Sequence, residues 1–510
     1  MTIHQRRYKQ LVLGQVLSRW ARKTPNNEAM VFRHIRYTFL EFDDRVNRLA
    51  NGLAELGVHK GDRVAILFTN CNELLESFYA VAKLGGICVP LNFRMTVPEY
   101  VFQLEQTRAK AIIFLSNFSN SVQNACHGLT HLKHRICVGE NDTKGDLSFE
   151  SIIESSPSEE PEVDIDDDDV LMIMYTSGTT GNPKGVVITH KNLIMAAINY
   201  LYHGVSEGSK LIALPLFHIA GFVAVLGATY FGNKVILLDS PDPELIMKMI
   251  QLEKIENVGL VPVLWNLIVN HPKFSSYDLS SVRYGGTGAA PTPLSLKLKI
   301  IDSFPNMVLY EAFGQTETCA IGGFADTGDL IKRPDSAGRI AFYIEARIVD
   351  EDDNEVPPGE IGEIVYRGPT LMREYFENPD ATSNAFKNGW FHSGDLVKQD
   401  EDGYLYVVDR KKDIIISGGE NISAWEVENT LSAHPDIMEA AVIGVPDEKW
   451  GESVKAYVVL RPGAKILEDD VISFCKGKIA GYKKPRYVEF ITELPRNPAG
   501  KVKKFVLKER

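Results

Sequence analysis

The 510-residue sequence lacks most of what marks a secreted, fibrous or nucleic-acid-binding chain. Its six cysteines (Cys71, Cys88, Cys126, Cys137, Cys319, Cys475) are scattered, with no C-x-x-C pair. That argues against a disulfide framework and structural zinc, and for a reducing compartment. Basic residues are not in excess: 55 Lys and Arg stand against 67 Asp and Glu, a net charge of −12. Nucleic acid is therefore not expected as the main partner, because phosphate backbones select basic faces. Residues 1–20 carry no basic-then-apolar leader, so export is not expected and a cytoplasmic location is. No repeat period is visible. One long stretch, Leu211–Asn233, has no charged residue, but Pro215, Gly221, Gly227 and Gly232 interrupt it and His218 lies close to Pro215. A buried strand, loop and helix account for it better than a bilayer crossing, so no integral membrane association is expected.

What is present is ordinary globular material, 44 % hydrophobic and 24 % charged, in a chain long enough for two to four folding units. Short β-branched apolar runs recur between helical patterns: Val64–Phe68, Ala111–Leu115, Val170–Thr176, Val235–Leu238 and Val258–Val261. This alternation predicts an α/β chain whose parallel sheets are covered by helices. One helix reads in detail. Thr38 and Glu41 form a capping box, Phe42, Val46, Leu49 and Leu53 mark one apolar face, and Gly57 supplies a stop. The Ser-, Pro- and acid-rich segment 155–169, ending in Asp166–Asp169, reads as a solvated linker rather than a cation site. A boundary near Asp409 separates a large domain, 1–410, from a small α+β module, 411–510. The module holds helical patterns near Trp425–Ala433 and Asp469–Ala480 and strands near Ala440–Val445 and Val454–Leu460.

The most informative segment follows the apolar run Val170–Thr176: Thr176-Ser177-Gly178-Thr179-Thr180-Gly181-Asn182-Pro183-Lys184-Gly185. Gly178 and Gly181 permit close backbone approach to an anion, the hydroxyls donate hydrogen bonds, and Lys184 adds a point charge. Those are the requirements for holding a polyphosphate. A Walker loop runs into a helix, whereas here Pro183 precedes Lys184 and Val186-Val187-Ile188-Thr189 reads as a second strand.

This loop resembles the signature loop of the adenylate-forming superfamily, which includes acyl-CoA and aryl-CoA synthetases, firefly-type luciferases and peptide-synthetase adenylation domains. The resemblance spans the chain. In order follow Leu214-Pro215-Leu216-Phe217-His218-Ile219-Ala220-Gly221, Gly285-Gly286-Thr287-Gly288-Ala289-Ala290-Pro291, Tyr310-Glu311-Ala312-Phe313-Gly314-Gln315-Thr316-Glu317 and Gly389–Leu396. Asp409-Arg410-Lys411-Lys412-Asp413, Gly418-Gly419-Glu420-Asn421 and Pro495–Lys501 complete the series.

The resemblance implies ATP, magnesium and coenzyme A as cofactor and co-substrates, and a carboxylic acid joined first to AMP and then to the CoA thiol. Lys184 would meet the outgoing phosphates and Lys501 the α-phosphate and acid. Thr316 and Glu317 would handle magnesium. Phe313, followed by Gly314, would stack on adenine, with Gly288, Ala289 and Ala290 on its other face. Asp395 and Arg410 would take the ribose. His218 would gate an acid pocket of Phe217, Gly221, Phe222, Val263, Trp265, Gly286, Thr287, Ile321 and Gly322; its apolar lining points to a medium- or long-chain fatty or an aromatic acid. The module 411–510 would rotate about Lys412, offering Lys501 in one state and a pantetheine passage at Gly418, Gly419 and Glu420 in the other. A free-standing adenylation enzyme that loads a carrier protein is the alternative. His218 weighs against an amino-acid substrate, for which the resemblance implies an Asp at that position, and no carrier domain is expected after Arg510. A luciferase-like oxygenase shares the adenylate. A non-enzymatic homologue does not fit an intact set of Lys184, Glu317, Asp395, Arg410 and Lys501.

Overall fold

The computed structural model describes residues 11–140, 145–176, 183–203, 208–288, 292–411, 413–417, 420–447, 449–496 and 502–509. The chain divides into two compact units. One comprises the chain up to Thr176 with Pro183–Glu345 and Arg367–Asn384; the other includes Ala346–Tyr366 and Ala385–Arg510.

The first unit is built on two sheets. An eight-stranded sheet runs Glu374–Tyr375, Lys184–Thr189, Val170–Thr176, Ile87–Leu91, Arg63–Leu67, Ala111–Leu115, His134–Val138, Leu147–Ser148. It is parallel from Val170–Thr176 onward, and Lys184–Thr189 is antiparallel to its neighbours on both sides. A nine-stranded sheet has a parallel centre of Glu28–Phe32, Val235–Leu237, Lys210–Ile212, Asn257–Gly259, Tyr284–Gly288 and Val308–Phe313. Five of these strands are the apolar runs the sequence predicts, at Arg63–Leu67, Ala111–Leu115, Val170–Thr176, Val235–Leu237 and Asn257–Gly259, and most of their residues are buried, as expected of parallel strands covered on both faces.

The helix Phe39–Glu55 forms as its sequence dictates. The Thr38 hydroxyl accepts from the Glu41 amide while the Glu41 carboxylate accepts from Thr38, and Gly57 sits at φ +81° just beyond its end. Phe42, Val46, Leu49 and Leu53 are all buried, each contributing about 1.5–3 kcal/mol. The uncharged stretch resolves into the end of a strand at Ile212 and a 12-residue helix, Ile219–Tyr230. Twelve residues rise about 18 Å, well short of the ~30 Å of a bilayer core. Among the described residues no helix is long and apolar enough to cross a membrane. The acidic run turns on itself, with Asp169 paired to Lys60 and Asp168 to Lys191.

The second unit holds two five-stranded sheets. One contains Glu345–Val349, Ile361–Arg367, Trp390–Gln399, Phe386–Lys387 and Leu405–Arg410. The other contains Glu420–Ile422, Ile415–Ser417, Gly451–Leu460, Ile437–Asp447 and Tyr487–Phe490, covered by Ala424–Ser432 and Glu468–Phe474 around a core of Val427, Leu431, Val442, Ala456, Val458 and Val471. The helix expected over Asp469–Ala480 stops at Phe474, and Gly477 follows at φ +76°, a left-handed turn that no helix continues through.

Candidate active site

The strands on either side of the glycine-and-hydroxyl loop pair antiparallel, with Thr176 opposite Lys184. Lys184 thus opens a strand and not a helix. The Thr176 hydroxyl faces the Lys184 carbonyl at 3.4 Å. Ser177, Gly178, Thr179, Thr180 and Gly181 lie outside the described residues. The strand Lys184–Thr189 is flanked by a two-residue strand, Glu374–Tyr375, that places Tyr375 opposite Val186. The Lys184 ammonium stands 4.7 Å from the centroid of the Tyr375 ring. The Tyr375 hydroxyl donates to Glu317 Oε1 at 2.9 Å, and among the described residues it is the one hydrogen-bond partner of that carboxylate.

Glu317 is 8 % exposed, in the single turn Thr316–Thr318. That turn is tight. Cys319 and Ala320 follow in left-handed conformation at φ +53° and +60°, and a Cβ on Gly314 would lie 2.6 Å from the Ile321 nitrogen. From outside, the Met372 amide donates to the Glu317 carbonyl at 2.7 Å. Lys184 and Glu317, chosen from sequence, are therefore brought to one aromatic side chain. Sequence reasoning missed Tyr375, because a two-residue strand carries no periodicity of its own.

The strands Tyr284–Gly288 and Val308–Phe313 run parallel with Gly288 opposite Ala312. A Cβ on Gly288 would sit 2.8 Å from the Ala312 carbonyl oxygen, so only glycine lets the two strand ends close up. Phe313 is half-buried at the end of its strand, and Thr316 is half-buried in the following turn. Ala289 and Ala290 lie outside the described residues. Two residues before Phe313 on the same strand, Glu311 forms an ion pair with Lys297 at 2.6 Å, both buried. Burial pushes the Glu311 carboxyl above its ordinary value, against the pull of Lys297 and Thr292. The hydroxyls of Thr287 and Thr292 bond at 2.9 Å.

The residues expected to line an acid pocket lie on several elements of the first unit. Phe217 is buried edge-on to Phe93, and His218 occupies the residue just before the helix Ile219–Tyr230, its ring 4.4 Å from that of Phe217. Gly221 is buried, and a Cβ there would meet the Pro215 carbonyl at 2.8 Å. Phe222 packs on Phe78, and Ile321 and Gly322 are buried. Val263 and Trp265 differ from expectation. Val263 is 68 % exposed, whereas Trp265 is 1 % exposed, packed on Phe304 and bonded from its indole to the Gly286 carbonyl at 2.9 Å. Two residues apart on the helix Pro262–Val269, they point about 200° apart and cannot share one lining. The far side of Gly286 is filled instead by Tyr310, whose hydroxyl lies 2.6 Å from where a Gly286 Cβ would be; Tyr310 stacks on Phe324, and Phe324 on His203.

In the second unit Asp395 and Arg410 face each other across adjacent strands, Arg410 Nε donating to Asp395 Oδ1 at 2.5 Å. Asp395 is buried, and its amide donates to the Ser393 hydroxyl. Nearby, burial raises the Glu363 carboxyl but the Gly394 amide, His392 and Lys411 outweigh it and hold it below its ordinary value. Glu420 is exposed. Lys412, Gly418, Gly419 and Lys501 lie outside the described residues, though Arg496 and Val502, on either side of the last segment, form an antiparallel bridge.

Comparison with known proteins is consistent with this geometry. A family model described as "AMP-binding enzyme" matches residues 17–376, and one described as "AMP-binding enzyme C-terminal domain" matches residues 426–501. The chain is 38 % identical over 501 residues to a feruloyl-CoA synthase of an Amycolatopsis species, covering 98 % of this chain and 99 % of that one. It is 36 % identical over 506 residues to a long-chain-fatty-acid–CoA ligase of Mycobacterium tuberculosis, covering 98 % of each. It resembles o-succinylbenzoate CoA synthetase from Bacillus subtilis, solved with its acyl-adenylate intermediate (TM-score 0.87, 32 % identity, 97 % of each chain) and with ATP and magnesium ion (TM-score 0.87, 31 % identity, 97 % and 99 %).

Proposed function

Because the chain belongs to the AMP-binding enzyme family and is an ATP-dependent, AMP-forming acid:CoA ligase, we propose how its residues divide that reaction and which acid it takes. The observation that carries the division is the Lys184–Tyr375–Glu317 cluster, which holds one cation and one buried carboxylate on a single ring beside the strand that leaves the phosphate loop.

In the first half-reaction a carboxylate oxygen bonds to the α-phosphorus of ATP and the bond to pyrophosphate breaks. Both reactants are anionic, so the protein must screen charge and hold them in line; no general base is needed. A chain of net charge −12 has no favourable overall field, and local cations must do this. Thr176, Ser177, Gly178, Thr179, Thr180 and Gly181 cradle the phosphates, Lys184 meets the leaving pyrophosphate, and Lys501 reaches the α-phosphate and the acid. Glu317 fits a magnesium ion: it is a hard oxygen donor with Oε1 engaged by Tyr375 and no partner to Oε2 among the described residues, and Thr316 precedes it. When bound, the ion supplies neutralisation of phosphate charge. Phe313 and Gly314 receive the adenine against Gly288, Ala289 and Ala290. Asp395, oriented by Arg410, accepts from the ribose hydroxyls.

In the second half-reaction the CoA sulfur bonds to the acyl carbon and AMP leaves. The module 411–510 turns about Lys412 to bring Gly418, Gly419 and Glu420 to the pantetheine arm. His218 and Phe217 separate adenylate from acid, with Gly221, Gly286, Thr287, Ile321 and Gly322 around the tail. The acid is a medium-chain or aromatic carboxylate, because the Tyr310–Phe324–His203 stack fills the space behind Gly286 that a long chain would need. The six free cysteines support a reducing, cytoplasmic setting.

Pyrophosphate release is measured with and without CoA, followed by thioester detection, over acids from acetate to palmitate and over benzoates and cinnamates. A maximum among medium-chain or aromatic acids, with thioester formed, is expected. Equal turnover across the panel refutes the shaped pocket, and pyrophosphate release without thioester refutes CoA as acceptor.

A further inference from the structure

We infer that Tyr375 is a positioning residue for adenylation, turning the Glu317 carboxylate so that Oε2 faces the metal ion and seating the Lys184 ammonium on its ring. The inference rests on the assignment of Glu317 and Lys184 above. Two parts of one side chain do different work. The hydroxyl donates to Glu317 Oε1 at 2.9 Å, and the negative face of the ring attracts Lys184 at 4.7 Å. Tyr375 itself has little freedom. It is 8 % exposed, its amide donates to the Thr382 hydroxyl at 3.0 Å, and the Arg373 and Phe376 amides donate to Val187 and Gly185. The chain bearing Tyr375 is thus sewn to the strand that begins at Lys184 and, through the Met372 amide, to the turn that carries Glu317.

That turn needs the outside support. Cys319 and Ala320 hold left-handed conformations that side-chain-bearing residues rarely adopt. Without the Tyr375 hydroxyl no described group fixes the carboxylate's rotation. Groups that orient a metal ligand typically account for 10- to 100-fold in metal affinity. The phenol ring is retained in Tyr375→Phe, so that variant removes one function and spares the other.

The test is manganese(II) binding followed by electron paramagnetic resonance, with ATP present and no acid, in wild type, Tyr375→Phe, Glu317→Gln and the double variant. Tyr375→Phe is expected to weaken manganese binding about tenfold or more. It should leave metal-free ATP binding unchanged, and thioester formation from supplied acyl-adenylate unchanged. In the Glu317→Gln background the loss of the hydroxyl should add nothing. Manganese affinity equal to wild type in Tyr375→Phe, or an additive loss in the double variant, overturns the inference. Wild-type manganese affinity in Glu317→Gln instead overturns the parent assignment of that carboxylate. Should Tyr375→Phe melt early, the comparison of Glu317→Gln with the double variant decides, because neither leaves a buried carboxylate unpaired there.

Discussion

Lys297→Met removes the ammonium from beneath the strand that carries Phe313 while keeping most of the aliphatic stem. In the native protein Lys297 Nζ lies 2.6 Å from Glu311 Oε2 and donates to the Pro334 carbonyl at 2.9 Å, with both side chains buried. Cutting one partner from a buried pair strands the other charge, at a cost of about 3–5 kcal/mol. The cost depends on pH in a definite sense. Burial already raises the Glu311 carboxyl above its ordinary value of 4.5, with Lys297 opposing. A carboxyl raised in the folded state favours the fold while protonated; that contribution is full below 4.5 and is lost as pH rises through the folded value. Without Lys297 the folded value climbs further, so the variant's deficit widens from pH 5 to pH 8. At roughly 1–1.5 °C per kcal/mol for a unit of this size, the melting point falls by about 5 °C at pH 8 and by clearly less at pH 5. Scanning fluorimetry across that range reads it directly, and adding Glu311→Gln should recover part of the loss at pH 8. A deficit that is flat with pH, or larger at pH 5, refutes the reasoning.

Asp395→Asn keeps the shape beside Arg410 but halves the ribose acceptor; kcat/KM for ATP should fall about 10- to 100-fold with the acid's KM little changed, by pyrophosphate release. Equal losses for both substrates would contradict a ribose role. His190 is fully buried, accepts from the Leu13 amide at Nδ1, and is lowered by burial to about 4. Its neutral form favours the fold, so its contribution is present above pH 6.5 and is lost as pH falls toward 4, about 3 kcal/mol over that window. His190→Asn, which cannot take up a proton, should flatten the acid side of the melting profile; an unchanged acid limb would refute this.

Where local chemistry decides structure, the sequence is readable. Thr38 and Glu41 define a cap whatever surrounds them, and Pro183 with the β-branched residues after Lys184 forces a hairpin. Parallel strands such as Ala111–Leu115 are legible because burial on both faces leaves an unbroken apolar run. What depends on partners distant in the chain is not. Tyr375 meets Glu317 58 residues away through a strand too short to show a period, and Lys297 reaches Glu311 from a separate helix, Leu294–Ser303. Trp265 and Val263 look alike as apolar candidates, and only the phase of their helix separates core from surface. Asp395 and Arg410 are readable as motif residues, but their pairing follows from strand register.

The central claim is that charge screening at the phosphates is divided between a fixed cation, Lys184, and one delivered by the C-terminal module, Lys501. Two rates in Lys501→Ala test it most directly: acyl-adenylate formation from acid and ATP, and thioester formation from supplied acyl-adenylate and CoA. Delivery of Lys501 for the first step alone predicts a large loss in adenylation with the thioester rate near wild type. Comparable losses in both rates would contradict it.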